Sequence, residues 1–323
     1  MTARHVFRSM ALTGALIVAM GAHAAERFPS RPIRMVVPYA PGGNTDVLAR
    51  LIAQRLSQAV GQQVVVDNRP GGNTLIGTGL VANAAGDGYT ILLTTLTFAV
   101  VPSLYNKLPF DARRDFTPIT LAVTLPNVLV IHPSVPAKSV KELIAHAKAN
   151  PGKLNYASTG SGTSPHLSME LMKTMAGVDL VHIPYKGGGP AMTDLMGGQV
   201  SAQFIGLPVA LPHIKSGKLR ALGVTSAKRA SAAADIPAIA ETLKGYELDP
   251  WFGILGPGAM PKPLVQQLQR EIARLLQAPD MKEHLASLGA EPVGSTPEQF
   301  ASYISSEIAK YAKLVKIAGV RVE

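Results

Sequence analysis

Short apolar runs alternate with segments of helical periodicity along most of the chain. The runs at 33–37, 64–66 and 89–93 are typical of buried strands, and the segments 46–59 and 75–85 carry apolar residues at helical spacing. Strands that alternate with helices predict an α/β fold with mostly parallel sheets, in the order expected of a doubly wound sheet.

The second half of the chain repeats this alternation and then becomes helical. Ser139 is placed to cap a helix, and Thr296 with Gln299 forms a capping box before the last one. Strands are predicted at 127–132, 154–158, 181–185, 200–205 and 219–225, and helices at 140–149, 191–196, 263–277 and 297–316.

In two places an apolar strand leads into a loop of glycine and hydroxyl residues that opens onto a helix. The first loop is residues 39–46 and the second is residues 158–166. Such loops place free backbone N–H groups and the positive end of a helix dipole where an anion can bind. The residues of interest are Gly42, Gly43, Gly160 and Gly162, which allow close approach, and the hydroxyl donors Thr45, Ser158, Thr159, Ser161 and Thr163.

The alternative for either loop is an ordinary helix cap in a tight turn, and the residue types alone leave both interpretations open. Asp46 needs its own interpretation, because its carboxylate would repel a bound anion. Its favoured role is to stabilise the N-terminus of the first helix. The other possibility is a contact with an ammonium group on the ligand.

The first 24 residues are interpreted as an export signal. Arg4 and Arg8 precede an apolar run at 11–20, and Ala22-His23-Ala24 supplies a small-x-small cleavage pattern, so cleavage is expected near Ala24. The chain has no cysteine, which excludes disulfides, iron–sulfur clusters and thiolate zinc sites. An exported protein without disulfides is typical of a bacterial periplasm.

The charge of the chain argues against a nucleic-acid partner. The net charge is +10, but the basic residues are scattered and aromatic residues make up 5% of the chain. A diffuse positive field suits the attraction of a small anion, and it is equally compatible with a role in solubility.

Signatures of catalysis are mostly missing. The sequence has no Gly-x-Ser-x-Gly elbow, no His-Glu-x-x-His and no Walker loop, and Gly77-Thr78-Gly79 lies inside a predicted helix, where it cannot bind a dinucleotide. We therefore expect no catalytic residues, no metal and no cofactor. The alternative is an exported serine hydrolase that uses Ser158 or Ser161 with His166.

Several stretches together resemble one protein family. They include Pro41-Gly42-Gly43-x-x-Asp46, Asn68-Arg69-Pro70-Gly71, Asp87-Gly88-Tyr89-Thr90 and His182-Ile183-Pro184-Tyr185-Lys186-Gly187. From end to end the chain resembles the Bug family of periplasmic solute receptors, which serve tripartite tricarboxylate transporters. The resemblance implies a two-domain periplasmic-binding-protein fold of type II, a Venus flytrap with two hinge crossings. One domain would comprise 25–126 and 249–323, and the other 127–248.

The resemblance also implies a ligand and a set of residues that contact it. The ligand would be a small organic anion: a di- or tricarboxylate, an acidic amino acid or an aromatic acid. A strand-end loop is expected around Thr95 and Thr97. Its sequence at 94–99 is more apolar than that of many relatives, which favours a ligand with an apolar or aromatic body. The partners would be membrane transporter subunits, with a sensor kinase left open, and the protein would be a monomer. The implied contacts are Tyr39, Ala40, Gly42, Gly43, Asn44, Thr45 and Asp46 in the first loop, Ser158, Thr159, Gly160, Gly162, Thr163 and His166 in the second, and Thr95, Thr97 and Tyr185.

Overall fold

The computed structural model describes residues 28–185 and 187–320. The predicted export signal and its cleavage near Ala24 lie outside the described residues. The described chain forms two domains, each built around its own mixed β-sheet. Within it, no helix combines the length and the apolar character that a membrane span requires.

Within residues 28–185 and 187–320, eleven strands form the two sheets. They are β1 Ile33–Val37, β2 Val64–Asn68, β3 Thr90–Thr95, β4 Phe116–Thr124, β5 Asn127–Ile131, β6 Asn155–Ser158, β7 Val181–Pro184, β8 Ala202–Gly206, β9 Arg220–Val224, β10 Trp251–Pro257 and β11 Glu291–Pro292. The six-stranded sheet has the order β11-β4-β10-β3-β1-β2, and the five-stranded sheet has the order β7-β6-β8-β5-β9.

The α-helices of the described residues cover both faces of these sheets. They are α1 Asn44–Val60, α2 Leu75–Ala82, α3 Thr97–Leu104, α4 Val140–Ala149, α5 Ser164–Ala176, α6 Gly188–Met196, α7 Leu207–Lys215, α8 Lys262–Gln277, α9 Pro279–Ser287 and α10 Pro297–Ala318.

The prediction of mostly parallel sheets is correct for some strand pairs and wrong for the others. β1 pairs in parallel with β2 and β3, but β10 is antiparallel to both β3 and β4. In the other sheet, β6 is parallel to β7 and β8, whereas β5 is antiparallel to β8 and β9. The antiparallel strands β4, β5 and β10 flank the two points where the chain passes between the sheets. A strand that the chain enters by crossing from the other sheet does not follow a right-handed βαβ connection, so it can pair in the antiparallel direction.

Each sheet is buried on both faces, so each domain has two apolar clusters. In β1, Ile33, Met35 and Val37 face one cluster while Val36 faces the other. In β6, Tyr156 and Ala157 divide in the same way. This alternation explains why the strands read as continuous apolar runs in the sequence.

The chain crosses between the sheets twice, after β4 and before β10. The two crossings lie side by side, because the N–H of Leu125 donates to the carbonyl of Pro250 over 3.0 Å. Asn127, directly after the first crossing, donates from Nδ2 to Ser164 Oγ over 2.5 Å. The first turn of α5 is therefore hydrogen-bonded to the connecting segment.

Most predicted elements are confirmed, and several were missed. Helix α4 has the predicted bounds with Ser139 as its N-cap, and the capping box at Thr296 opens α10. The missed elements include β4, β11, α3, α7 and α9. Of these, α3 and α7 begin directly after strands and concern the candidate site.

Candidate functional site

The first loop is organised by Asp46, which is 4% exposed. Its Oδ2 accepts hydrogen bonds from the N–H of Gly42 and from Arg50 Nε, each over 3.0 Å, and its Oδ1 accepts from Asn68 Nδ2 over 3.0 Å. Burial alone would raise the pKa of this carboxyl, but the hydrogen bonds from Arg50, Gly42 and Asn68 outweigh it and lower the pKa. Both carboxylate oxygens are occupied within the protein, which supports the structural role.

The N-terminus of α1 has backbone donors without partners. Gly43 is the N-cap and supplies no side-chain cap. The first intrahelical bond is that from Val47 N–H to the Gly43 carbonyl. Within the described chain, no group accepts a hydrogen bond from the N–H of Asn44, Thr45 or Asp46. These donors point along the helix axis toward any anion that lies in front of the loop.

The threonine-rich segment after β3 is a strand-to-helix junction, so the prediction of a loop there is wrong. Tyr39 Oη lies 2.6 Å from Thr95 Oγ1, and the N–H of Thr97 donates to that same Oγ1 over 3.3 Å. Burial raises the pKa of Tyr39, against the effect of its threonine contacts. These contacts hold the first loop against the start of α3.

The second loop is held by its own hydroxyl groups. Ser158, fully buried at the end of β6, accepts from the N–H of Gly160 over 3.2 Å. Thr163 Oγ1 donates to the Gly160 carbonyl over 2.7 Å and therefore does not cap α5, of which Thr163 is the N-cap residue. Pro165 has no N–H, and within the described residues no group accepts from the N–H of Ser164 or His166.

Two histidines hold this loop from the interior of the domain. The N–H of Gly162 donates to His166 Nδ1 over 3.0 Å, and Ser158 Oγ lies 2.7 Å from His182 Nε2. Burial lowers the pKa of His166 to about 3 and that of His182 to about 4. Both rings are neutral at pH 7, and His166 carries its proton on Nε2 because its Nδ1 is an acceptor.

Three further side chains, those of Tyr156, Glu170 and Lys173, form a hydrogen-bonded group beside the histidines. Tyr156 stacks on His182, with ring centroids 4.9 Å apart, and its hydroxyl donates to Glu170 Oε1 over 2.5 Å. Lys173 Nζ lies 2.7 Å from the same oxygen. His182, Glu170 and Lys173 were not among the predicted site residues. The spacing of His166, Glu170 and Lys173 at helical intervals was the available signal.

Tyr185 is placed at the start of the segment that leads to α6. Its N–H donates to the Ser158 carbonyl over 3.0 Å, and its hydroxyl donates to Asp194 Oδ2 over 2.6 Å. Burial and the Asp194 carboxylate raise the pKa of Tyr185 to about 12. Thr159 is half-buried close by, within contact distance of Gly188 at the start of α6.

Each predicted loop contacts the opposite domain, although the two loops do not hydrogen-bond to each other within the described residues. The side chain of Asn44 lies against Gly206, and Gly162 lies against Val100 and Leu104 of α3. Ala40 is exposed at the edge of the first loop. Gly206 is the N-cap of α7, the helix that the sequence analysis missed.

The arrangement does not assemble the nucleophile predicted for a hydrolase. The described Ser158 contacts His182 and not His166, and Ser161 makes no described hydrogen bond to either ring. Among the residues that the structure describes, no cluster of three or more histidine, aspartate or glutamate side chains could hold a metal ion. The chemistry available is hydrogen-bond donation from two helix ends.

Comparison with known families gives a match over most of the chain. Residues 48–320 match the family described as "Tripartite tricarboxylate transporter family receptor". Protein BugT of Bordetella pertussis is 39% identical over 324 residues, which cover 98% of this chain and 99% of that protein. A protein of Pseudomonas sp. (strain P51), described as "UPF0065 protein in tcbD-tcbE intergenic region", is 41% identical over 91% of this chain and 88% of its own.

Solved structures with the same fold include three relatives above 30% identity. Rpa4515 of R. palustris with adipate has a TM-score of 0.87 and 38% identity, over 92% of this chain and 100% of that one. The periplasmic binding protein BugD has a TM-score of 0.85 and 37% identity over the same shares. MatC of Rhodopseudomonas palustris with bound malate has a TM-score of 0.82 and 31% identity, over 89% and 100%.

Proposed function

The chain belongs to the tripartite tricarboxylate transporter receptor family, and we propose that its two loops bind a small dicarboxylate between the domains. The protein is a solute-binding receptor of a tripartite transporter and not an enzyme, so the hydrolase alternative is wrong. The structure also shows the predicted α/β fold with two domains.

The observation that carries the proposal is the pair of uncapped helix N-termini on opposite domains. The first turn of α1 offers the N–H groups of Asn44, Thr45 and Asp46, and the first turn of α5 offers those of Ser164 and His166. Two to four donors satisfy a carboxylate, and each helix end adds a favourable partial charge. Domain closure removes water from these contacts and strengthens them.

The relatives of known ligand support the class of solute. Adipate and malate, bound by Rpa4515 and MatC, are dicarboxylates of different length that carry no amino group. In this chain the Asp46 carboxylate is 4% exposed, already accepts from Gly42 and Asn68, and is paired with Arg50, so it is a poor partner for an ammonium group. We therefore favour a simple dicarboxylate over an amino acid.

The predicted contact residues divide into two groups under this proposal. Direct donors are the N–H groups of the α1 and α5 first turns, with Gly43 and the half-buried Thr159 beside them. Positioning residues are those whose polar atoms are already bonded inside the protein. This second group comprises Tyr39, Gly42, Asp46, Thr95, Thr97, Ser158, Gly160, Gly162, Thr163, the His166 ring and Tyr185.

The proposal also includes the domain boundaries, the export of the protein and its membrane partners. The side-by-side crossings at Leu125 and Pro250 support domains of 25–126 with 249–323 and of 127–248. Cleavage near Ala24 would release a monomer into the periplasm, where it delivers its ligand to the membrane subunits of the transporter. N-terminal sequencing of the exported protein tests the cleavage site, since a first residue other than Ala25 would contradict it.

Titration calorimetry of the mature protein tests the ligand class. The panel is adipate, malate, succinate and citrate, with glutamate, a sugar and a monocarboxylate as controls. We expect heat of binding and a raised melting temperature with at least one dicarboxylate. Binding of the sugar with no response to any carboxylate would refute the proposal.

A further inference from the structure

Asn44 and Gly206 meet across the two domains. Asn44 is the first residue of α1, beside the six-stranded sheet, and Gly206 ends β8 in the five-stranded sheet. A Cβ atom at position 206 would lie 2.6 Å from Cγ and 2.9 Å from Oδ1 of Asn44. These separations are shorter than van der Waals contact, so the amide of Asn44 occupies the space that a side chain at 206 would need.

Position 206 favours glycine because the space beside it is filled, and not because its backbone conformation excludes other residues. The φ and ψ angles of Gly206 are −59° and 136°, which every L-residue adopts without strain. A side chain at 206 therefore leaves the folding of its own domain unstrained. The three atoms nearest to its Cβ all belong to Asn44, at the start of α1 of the other domain.

The start of α7 contacts the six-stranded domain at a second point. A Cβ atom at Gly289, which follows α9, would lie 2.7 Å from Cδ2 of Leu207, the first residue of α7. The N-terminus of α7 is thus placed between Asn44 on one side and Gly289 on the other. Two separate contacts locate this helix end against the partner domain.

This contact brings two helix N-termini, those of α1 and α7, close to each other. Each carries about half a positive charge, and the Asp46 carboxylate in the first turn of α1, itself paired with Arg50, balances only part of it, so some repulsion remains. An anion bound at the α1 loop offsets that repulsion. Closure at Asn44 and Gly206 is in this way linked to occupation of the loop by an anion.

We propose that Gly206 is the residue that permits domain closure, by leaving room for the side chain of Asn44 when the ligand is bound. This inference rests on the proposed function, because closure matters only if the cleft holds a ligand. A bulky side chain at 206 would displace the amide of Asn44 and disfavour the closed form.

Calorimetry with the dicarboxylate that the wild-type protein binds most tightly in the panel above tests this proposal. Gly206→Val is expected to raise Kd about tenfold and Gly206→Ala less, because the flexible amide of Asn44 can rotate away from one added carbon more easily than from three. Gly79→Ala is the matched control, since a Cβ there would lie 3.8 Å from Phe110, an ordinary contact. The Kd of the Asn44→Ala/Gly206→Ala protein should be lower than the value obtained by multiplying the fold-changes in Kd of the two single variants.

Cross-linking keeps this inference separate from the proposed function, because a disulfide traps the closed form even when that form is only transiently populated without ligand. The chain has no cysteine, so Asn44→Cys/Gly206→Cys introduces one pair. The two Cβ atoms lie at most about 4 Å apart, within the range of a disulfide. Mild oxidation should cross-link this pair and not an Asn44→Cys/Gly217→Cys pair, because Gly217 has no neighbour within contact distance.

The possible results distinguish a failure of this inference from a failure of the proposed function. Failure of the 44–206 pair to cross-link would overturn the inference, whatever the protein binds. Equal Kd values for the wild type and Gly206→Val would also overturn it while the proposed function stands. If no carboxylate binds the wild type, the proposed function fails, and the cross-link still decides whether the two residues meet.

Discussion

The imidazole rings of His166 and His182 stack face to face, with their centroids 3.9 Å apart and their planes inclined by 12°. Each ring also bonds to one end of the second loop, His182 to Ser158 and His166 to Gly162. Two neutral rings pack well at this distance, but two imidazolium ions would repel strongly. The pair therefore links the shape of the loop to the protonation of the domain interior.

This link predicts that the protein loses stability as the pH falls. Both pKa values lie below the 6.5 of an unfolded histidine, at about 3 and about 4, so the unfolded chain binds more protons between pH 6.5 and 4. Each histidine then lowers the free energy of unfolding by up to about 1.4 kcal/mol per pH unit in that window. Urea titrations at pH 7.5, 5.5 and 4.5 measure the effect.

His166→Asn is the matched variant, because Asn Oδ1 keeps an acceptor for the N–H of Gly162. Its free energy of unfolding should fall less steeply with pH than that of the wild type. Asp249 has the opposite effect on the pH dependence of stability. Burial raises its pKa to about 6 in the folded protein, so on acidification it binds a proton in the folded state before it does so in the unfolded state. Asp249 is present in both proteins and cancels in the comparison. Identical pH profiles would contradict the prediction.

Gly162→Ala should abolish tight ligand binding. Gly162 has φ +73°, and a Cβ there would lie 3.4 Å from Cγ1 of Val100 and even closer to Leu104 of the opposite domain. The substitution therefore combines backbone strain with a clash across the cleft. Calorimetry with the tightest-binding dicarboxylate of the panel should show at least about a tenfold rise in Kd.

Gly177→Ala supplies the control for strain alone. Gly177 has φ +62° at the end of α5, and no atom lies within 4 Å of its Cβ position. Both variants should lose about 1 kcal/mol of stability, but only Gly162→Ala should lose affinity. Equal affinities in the two variants would show that the second loop does not close on its ligand.

The sequence predicted the elements whose signals are local. Ser139 and Thr296 mark helix starts because capping side chains act within one turn, and the buried strands appear as apolar runs. Helix α3 was missed because its start, at Thr97, follows β3 with a single intervening residue and its cap comes from Thr95. The composition of that segment resembles a loop.

The candidate site was predictable only in part. The two loops are visible because glycine and hydroxyl residues at strand ends follow a known rule for α/β folds. The contact between Asn44 and Gly206 joins residues far apart in the chain and has no local pattern. His182 likewise reads as one residue of a strand, and only the pairing of β6 with β7 brings it beside Ser158.

Asp46→Ala should destabilise the first loop. The carboxylate is 4% exposed and accepts from Gly42, Arg50 and Asn68, so its removal leaves these donors without a partner. We expect a loss of about 1–3 kcal/mol in the free energy of unfolding and weaker carboxylate binding. Urea denaturation and calorimetry of the same preparation measure both effects.

Asp280→Ala is the matched control, because Asp280 pairs with Arg55 on the surface, where its side chain is 57% exposed. Removal of an exposed ion pair should cost less than about 1 kcal/mol and leave binding unchanged. If Asp46→Ala bound its ligand more tightly than the wild type, repulsion of the anion would outweigh the support that Asp46 gives the loop.

Thr74→Asn should stabilise the protein. Thr74 precedes α2 with φ 76° and ψ −9°, a left-handed conformation that is unfavourable for a β-branched residue by about 1–2 kcal/mol. Its side chain makes no capping hydrogen bond to α2, and asparagine, of similar volume, tolerates this conformation.

The fluorescence of Trp251, the single and fully buried tryptophan, reports unfolding in urea. We expect a gain of about 1 kcal/mol for Thr74→Asn and a change within about 0.5 kcal/mol for Thr242→Asn, where φ is −101°. A loss of stability at position 74 would mean that the packing of the buried methyl group outweighs the strain of the backbone.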